Sequence, residues 1–252
     1  VGVFKHGTHD QQSHGNWAGT QGKTPNMVEN KSGKGSAGAN SEAKNLRDKV
    51  SKDEPAITGL MEEIATNVNG RLEGLEFRLK TEESLARKID NDAKGFGGDT
   101  AKAASKVSDA VRYTLIIDSE NYTDGVQTTL DTLKSNGLQA SRVKNFWRKG
   151  DDYQGINAKI QHPNGYEFEL QFHTPQSFEM KQRVHPLYEE RRTSSDPKTQ
   201  YKLYKRTARL VNRLIAPMGV LAVGELAANP LILGGREIFI KALKKFFGDN
   251  NV

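Results

Sequence analysis

Apolar and polar positions first fall into a pattern at about residue 42. SEAKNLRDKV (41–50) and DEPAITGLMEEIATNV (53–68) space their apolar residues three and four apart and predict helices, with Ser41 and Asp53 as N-caps and Pro55 near a first turn. LEGLEFRLK (72–80) reads as a short strand. TEESLARKIDNDAK (81–94) reads as a helix whose acidic first turn suits the positive end of the helix dipole. GFGGD (95–99) interrupts the pattern, and VRYTLII (111–117) is β-branched and apolar, as in a buried strand. Residues 122–137 return to helical spacing and end in Asn-Gly. Three more strands are predicted at 138–147, 154–162 and 166–173, the last two joined by the turn Pro163-Asn164-Gly165. Helices follow at 175–192 and 198–214, and no repeat of 20–50 residues is evident. The order of elements predicts an α/β (α+β) domain: a mixed, mostly antiparallel sheet of four or five strands flanked by helices.

Two of the strands alternate cleanly. Phe168, Leu170 and Phe172 share one face of YEFELQFH, and Glu167, Glu169, Gln171 and His173 share the other. Ile156, Ala158 and Ile160 oppose Gly155, Asn157, Lys159 and Gln161 in the same way. The hairpin therefore has one apolar and one polar face. The polar face is either an ordinary wet side of an antiparallel sheet or a nucleotide and metal site. Repulsion does not decide between them, since carboxylates about 7 Å apart repel by only about 0.6 kcal/mol in water. An earlier segment adds weight to the site, although alone it would read as an ordinary amphipathic helix with a basic side. Arg78, Lys80, Ser84 and Lys88 bring cations and a hydroxyl to a strand-to-helix junction, where a helix N-terminus favours phosphate. Asp109 and Arg112 flank the entry to the apolar strand, and Asp109 with Glu169 offers the oxygen ligands that Mg²⁺ prefers.

The ends of the chain have another texture. Residues 1–41 are dominated by Gly, Ser, Asn, Thr and Gln and read as a disordered polar tail, and His6, His9, Asp10 and His14 fit no helical face there. The stretch KHGTHDQQSHGNWA (5–18) resembles segments of phage head-morphogenesis proteins, which implies association with a phage particle. Lys198, Lys202, Lys205, Arg206, Arg209 and Arg213 form a basic run without an acid, either a solvated face or a grip on an RNA backbone. Residues 214–233 are apolar but hold Pro217, Glu225, Asn229 and Pro230. Burying Glu225 in a membrane would cost roughly 3 kcal/mol, so no stable membrane insertion is expected. The domains are expected at 1–41 (tail), 42–197 (catalytic domain) and 198–252 (basic and apolar helical extension).

Composition narrows the chemistry. The 252 residues carry a formal net charge of +6, which favours an anionic partner. The absence of cysteine excludes disulfides, thiolate metal sites and a cysteine nucleophile. No apolar leader is visible, and a cytoplasmic location in a bacterial or phage-infected cell is expected.

Taken in order, RLKTEESLARK (78–88), SDAVRYTLI (108–116), DDYQGINAKI (151–160), FELQFHT (168–174) and VHPLYEERR (184–192) resemble the synthetase domain of the RelA/SpoT family. The resemblance implies a nucleotidyltransferase-like fold. It also implies transfer of the β,γ-pyrophosphate of ATP to a ribose 3′-hydroxyl of a guanine or adenine nucleotide, which is alarmone synthesis. Toxic relatives instead act on the 3′ end of tRNA, and a toxin implies an antitoxin as partner. By position, Arg78, Lys80, Ser84, Lys88 and Arg112 would bind ATP, and Asp109 and Glu169 would hold Mg²⁺. Glu169 would alternatively take the proton of the 3′-hydroxyl, and Gln171 would orient the acceptor. Tyr153 would stack on the acceptor base, with Asn157, Lys159 and His173 beside it. The loop reads Asp152-Tyr153-Gln154-Gly155-Ile156-Asn157 where the family usually has Gly-Tyr-x-Ser-x-His. His173 stands where the family has Arg, which removes a bidentate phosphate partner. A catalytically inactive nucleotide- or RNA-binding module remains the alternative to the enzyme.

Overall fold

The structure, a computed structural model, describes residues 35–147, 152–220 and 223. The tail histidines and most of the apolar stretch 214–233 lie outside the described residues. Helix α1 (Ala37–Asn67) begins at Ser36, whose side chain accepts from the Ala39 amide and whose hydroxyl donates to Asp90 Oδ1 at 2.6 Å. The helix thus starts before residue 42, and the two helices expected between 41 and 68 are one. Ala39, Ala43, Val50, Ile57, Met61 and Ile64 form a single buried stripe, and that continuous burial carries the helix through Pro55. Asp53 is no cap: it accepts from Asn164 Nδ2 at 2.8 Å and the Tyr166 hydroxyl at 3.1 Å, tying α1 to the far hairpin.

The strand expected at 72–80 is shorter. Strand β1 (Arg71–Glu73) stops at Gly74, whose φ of +67° suits glycine, and a 3₁₀ turn follows at Leu75–Phe77. Leu79 then pairs singly with Val111. Thr81 caps α2 (Glu82–Ala93), and a short helix that the sequence pattern did not indicate, α3 (Thr100–Ala104), is capped by Asp99. The remaining elements are β2 (Arg112–Ile116), α4 (Tyr122–Ser135), β3 (Gln139–Asn145), β4 (Ile156–His162), β5 (Tyr166–His173), α5 (Pro175–Thr193) and α6 (Pro197–Val211).

The five strands lie in the order β1-β2-β5-β4-β3, with β2 and β5 parallel and the other pairings antiparallel. The mixed, mostly antiparallel sheet is as expected. Phe168, Leu170, Phe172, Ile156, Ala158 and Ile160 are fully buried on one face, in a core shared with α1, α2 and α4. The polar face is less open than its sequence suggests. Helix α5 covers the C-terminal end of β5, so Gln171 and His173 are buried while Glu167 and Glu169 are half-buried.

The first part of the basic run lies on a helix that packs on the domain. Helix α6 starts at Pro197 and buries Leu203, Ala208 and Val211, and it neighbours α5. Beyond it the chain docks back on the core: Asn145 Nδ2 donates to the carbonyls of Val220 and Val223, each at 2.6 Å. Among the described residues no helix is long and apolar enough to cross a membrane.

Candidate active site

The strand register sets out the polar face in rows. Arg112, Glu169, Lys159 and Arg142 are successive cross-strand partners, and Thr114, Gln171, Asn157 and Lys144 form the next row. The segment before α2 lies along the start of β2, with Lys80 N donating to Ala110 O at 2.9 Å and Arg112 N to Arg78 O at 2.8 Å. The basic motif and Asp109 are therefore neighbours although they are far apart in the chain.

Lys80 Nζ is 2.6 Å from Asp109 Oδ2, and Lys88 Nζ is 3.8 Å from Asp109 Oδ1. Burial pushes the Asp109 carboxyl up, but Lys80, Lys88 and Arg112 together bring it below the usual carboxylate range. Arg112 Nη1 also lies 3.9 Å from Glu169 Oε2, and its charge helps to lower the Asp109 pKa as well. From Glu169 the polar contacts continue. Asn157 Nδ2 reaches Glu169 Oε1 at 3.4 Å, and the Tyr153 hydroxyl donates to Asn157 Oδ1 at 2.8 Å. His173 Nε2 is 2.8 Å from that hydroxyl, and His173 Nδ1 is 2.9 Å from Ser177 Oγ.

Several expected site residues are engaged differently. Arg78 does not join the Lys80–Lys88–Asp109 cluster. Its Nε pairs with Glu54 of α1, and its Nη1 donates to Leu75 O at 2.7 Å. Burial pushes the Glu54 carboxyl up, yet Arg78 and Thr58 bring it below its ordinary range, as a paired anion requires. The Ser84 hydroxyl accepts from Thr81 and Arg87 at 3.1 Å each, within the cap of α2. Lys159 faces Glu167 at 3.7 Å. Tyr153 meets Phe146 and His173 edge-on, with centroids 5.3 Å apart in both pairs.

His173 is fully buried with both ring nitrogens hydrogen-bonded, which removes it from direct contact with an acceptor. Burial and the nearby Lys181 push its pKa well below the ordinary histidine value. Its place in the site is to hold Tyr153.

Pattern reasoning missed Lys181 altogether. This lysine of α5 donates to Gln171 Oε1 at 2.6 Å, and burial together with Arg112 lowers its pKa to about 8, against an opposing pull from Glu169. The signal was present: Ser177, Lys181 and Val184 recur four and three residues apart, which puts a lysine on the packed stripe of a helix.

Among the described residues no group of three or more His, Asp or Glu is placed to hold a metal ion. Asp109 Oδ1 is nevertheless buried without a hydrogen-bond partner. A carboxylate oxygen without a hydrogen-bond partner, beside Lys80 and Lys88, fits Mg²⁺, which usually takes one or two carboxylates and completes its shell with substrate phosphates and water.

No protein-family model matches the chain, and no curated protein matches it in sequence. Solved structures do. The chain is similar to the type VI effector Tas1, solved in complex with its immunity protein, at 20% identity and a TM-score of 0.47, over 66% of this chain and 93% of that one. It is similar to a GTP pyrophosphokinase family protein from Streptococcus pneumoniae at 15% identity and a TM-score of 0.44, over 65% of this chain and 87% of the other. It is also similar to small alarmone synthetase 1 from Bacillus subtilis bound to its product pppGpp, at 15% identity and a TM-score of 0.38, over 56% and 71% of the two chains.

Proposed function

We propose that the chain is a nucleotide pyrophosphokinase of the RelA/SpoT type, which moves the β,γ-pyrophosphate of ATP to the ribose 3′-hydroxyl of an acceptor nucleotide. The carrying observation is the meeting of Lys80 and Lys88 on Asp109, whose Oδ1 has no hydrogen-bond partner, close to Arg112, which faces Glu169 at 3.9 Å. In phosphoryl-type transfer the protein's work is positioning and neutralising oxygen charge, and no covalent nucleophile is needed. Lys80, Lys88 and Arg112 bind the triphosphate. Asp109 and Glu169 are the residues that would hold Mg²⁺, which when bound neutralises charge on the transferred group. The acceptor lies toward Tyr153 and Gln171, and its 3′-oxygen attacks the β-phosphorus while the α–β bond breaks. AMP leaves, and the hydroxyl proton passes to Glu169 where that carboxylate serves as base rather than as metal ligand.

The test uses γ-labelled ATP, Mg²⁺ and a panel of GDP, GTP, ADP, AMP and deacylated tRNA. The expected result is AMP together with label on one acceptor. Absence of AMP with every acceptor overturns the enzyme, and ATP binding without turnover would leave a nucleotide-binding module. A second reading, with the 3′ end of tRNA as acceptor, is favoured by α6, where Lys198, Lys202, Lys205, Arg206 and Arg209 occur without an acid in Pro197–Val211. Label on tRNA rather than on a nucleotide would select it.

A further inference from the structure

Gln171 has an amide whose two ends look alike in shape and differ in chemistry, one accepting and the other donating hydrogen bonds. Lys181 fixes which end is which. Its ammonium, 2.6 Å from Gln171 Oε1, has only protons to give, so the amide oxygen must face it and the NH₂ group must face away. The lysine is itself held. It lies between the buried Ser177 and Val184 on α5, and its Nζ is 5.7 Å from the centre of the Phe178 ring. Gln171 stands in register between Thr114 of β2 and Asn157 of β4, one row along from Arg112 and Glu169. Its Nε2 donates to no other described residue, whereas the neighbouring Asn157 amide is used at both ends, by Tyr153 and Glu169. His173, the next residue of this face along β5, brings no charge, because its ring is fully buried and Lys181 lies near it. The cation that bonds Gln171 therefore comes from α5 rather than from β5.

We propose that Lys181 is a positioning residue that locks Gln171 as a hydrogen-bond donor, so that the acceptor atom read there is an oxygen or an unprotonated nitrogen and not an amino group. This rests on the proposal that the polar face binds the acceptor nucleotide. Without the ammonium the amide is free to turn over and present either end. With it, a ligand offering N–H at that point meets a second donor and leaves both unsatisfied.

Two measurements test this, one of which needs no substrate. In ¹⁵N-labelled protein the Gln171 side-chain NH₂ signal, assigned by its loss in Gln171→Leu, should move or broaden in Lys181→Met and stay in place in Lys181→Arg. An unmoved signal in Lys181→Met overturns the proposal whatever the enzyme does. In kinetics, Lys181→Met should raise the KM for the acceptor about tenfold and leave the KM for ATP within about twofold, with Lys181→Arg restoring most of the loss. Equal rises in both KM values, or no rescue by arginine, would mean a merely structural role and overturn it too. A moved NMR signal in a protein that turns over no acceptor would sink the pyrophosphokinase reading and leave the Lys181–Gln171 assignment standing.

Discussion

At the start of β2 the polar face is built from charges that solvent still reaches. The side chains of Lys80, Asp109, Lys88 and Arg112 are 23%, 22%, 35% and 44% exposed, and each lies within 4 Å of an opposite charge. Under α5, at the other end, Tyr153, His173 and Ser177 are neutral and linked by bonds of 2.8 and 2.9 Å, and the histidine is entirely buried. Both ends are polar sites on one sheet, yet their physics is opposite. The partly exposed contacts of Lys88 and Arg112 add little to stability, typically about 0–1 kcal/mol, and can exchange a protein partner for a phosphate at small cost, whereas the Lys80–Asp109 pair is three-quarters buried. Buried neutral bonds cannot be exchanged without leaving a donor or acceptor unpaired. The partly exposed charges of the first end are thus suited to exchange partners and the buried Tyr153–His173–Ser177 bonds of the second to hold shape, and mutations of Asp109 and of His173 should separate activity from stability along that line.

The sharpest break of this comparison is Asp109→Asn. Removing the charge while keeping the shape should lower turnover by about 10²–10³ and change unfolding free energy by less than about 1 kcal/mol. Rates of AMP formation and urea titrations check the two halves. Full activity in the variant would show that the binding role has been given to the wrong end.

His173→Ala should do the reverse. It opens a cavity and strips partners from the Tyr153 hydroxyl and from Ser177, at a cost of about 2–4 kcal/mol in urea unfolding. It should also flatten a pH dependence. Burial and Lys181 hold the native ring neutral well below its ordinary pKa of 6.5, so on acidification the unfolded chain takes up a proton that the native chain refuses. Stability from this residue is therefore complete above about pH 6.5 and falls at lower pH, by up to about 1.4 kcal/mol per pH unit. A wild-type protein equally stable at pH 7.5 and 5.5 would contradict the buried neutral ring.

What the sequence made legible follows the same division. The apolar alternation in β4 and β5 placed the core face residue by residue, because burial on a sheet has a strict period of two. The Lys80, Lys88 and Asp109 grouping was legible through family resemblance, and the pairing of 78–80 with the start of β2 makes it a neighbourhood in space. The roof over Gln171 and His173 was not legible. Whether a polar strand face is wet depends on a helix that arrives from later in the chain, and α5 has no clean apolar stripe to announce it. Arg78 escaped for a similar reason, since its partner Glu54 lies 24 residues earlier in a helix whose buried face looks purely apolar except at that position.

Arg191 tests the boundary between the two regimes, with the smallest expected effect. It is charged, and its side chain is buried about as far as those of Lys80 and Asp109, yet it reaches the loop that carries Tyr153. It pairs with Asp152, and its guanidinium lies 5.5 Å from the Tyr188 ring and 5.6 Å from the Tyr204 ring, so that one side chain joins the Tyr153 loop to α5 and α6. Lysine at this position keeps the charge but loses the planar group that stacks between rings. If stacking carries the link, Arg191→Lys should cost about 0.5–1 kcal/mol, nearly as much as Arg191→Ala at about 1–1.5 kcal/mol. If the ion pair carries it, lysine should be close to wild type, and the difference between Arg191→Ala and wild type should shrink in high salt. Because Asp152 adjoins Tyr153, the same variants should raise the KM for the acceptor by a factor of about two to five while sparing that for ATP. A larger effect on ATP would place the loop at the triphosphate end, and the division of the sheet face into a donor end around Lys80 and Lys88 and an acceptor end around Tyr153 and Gln171 would have to be redrawn.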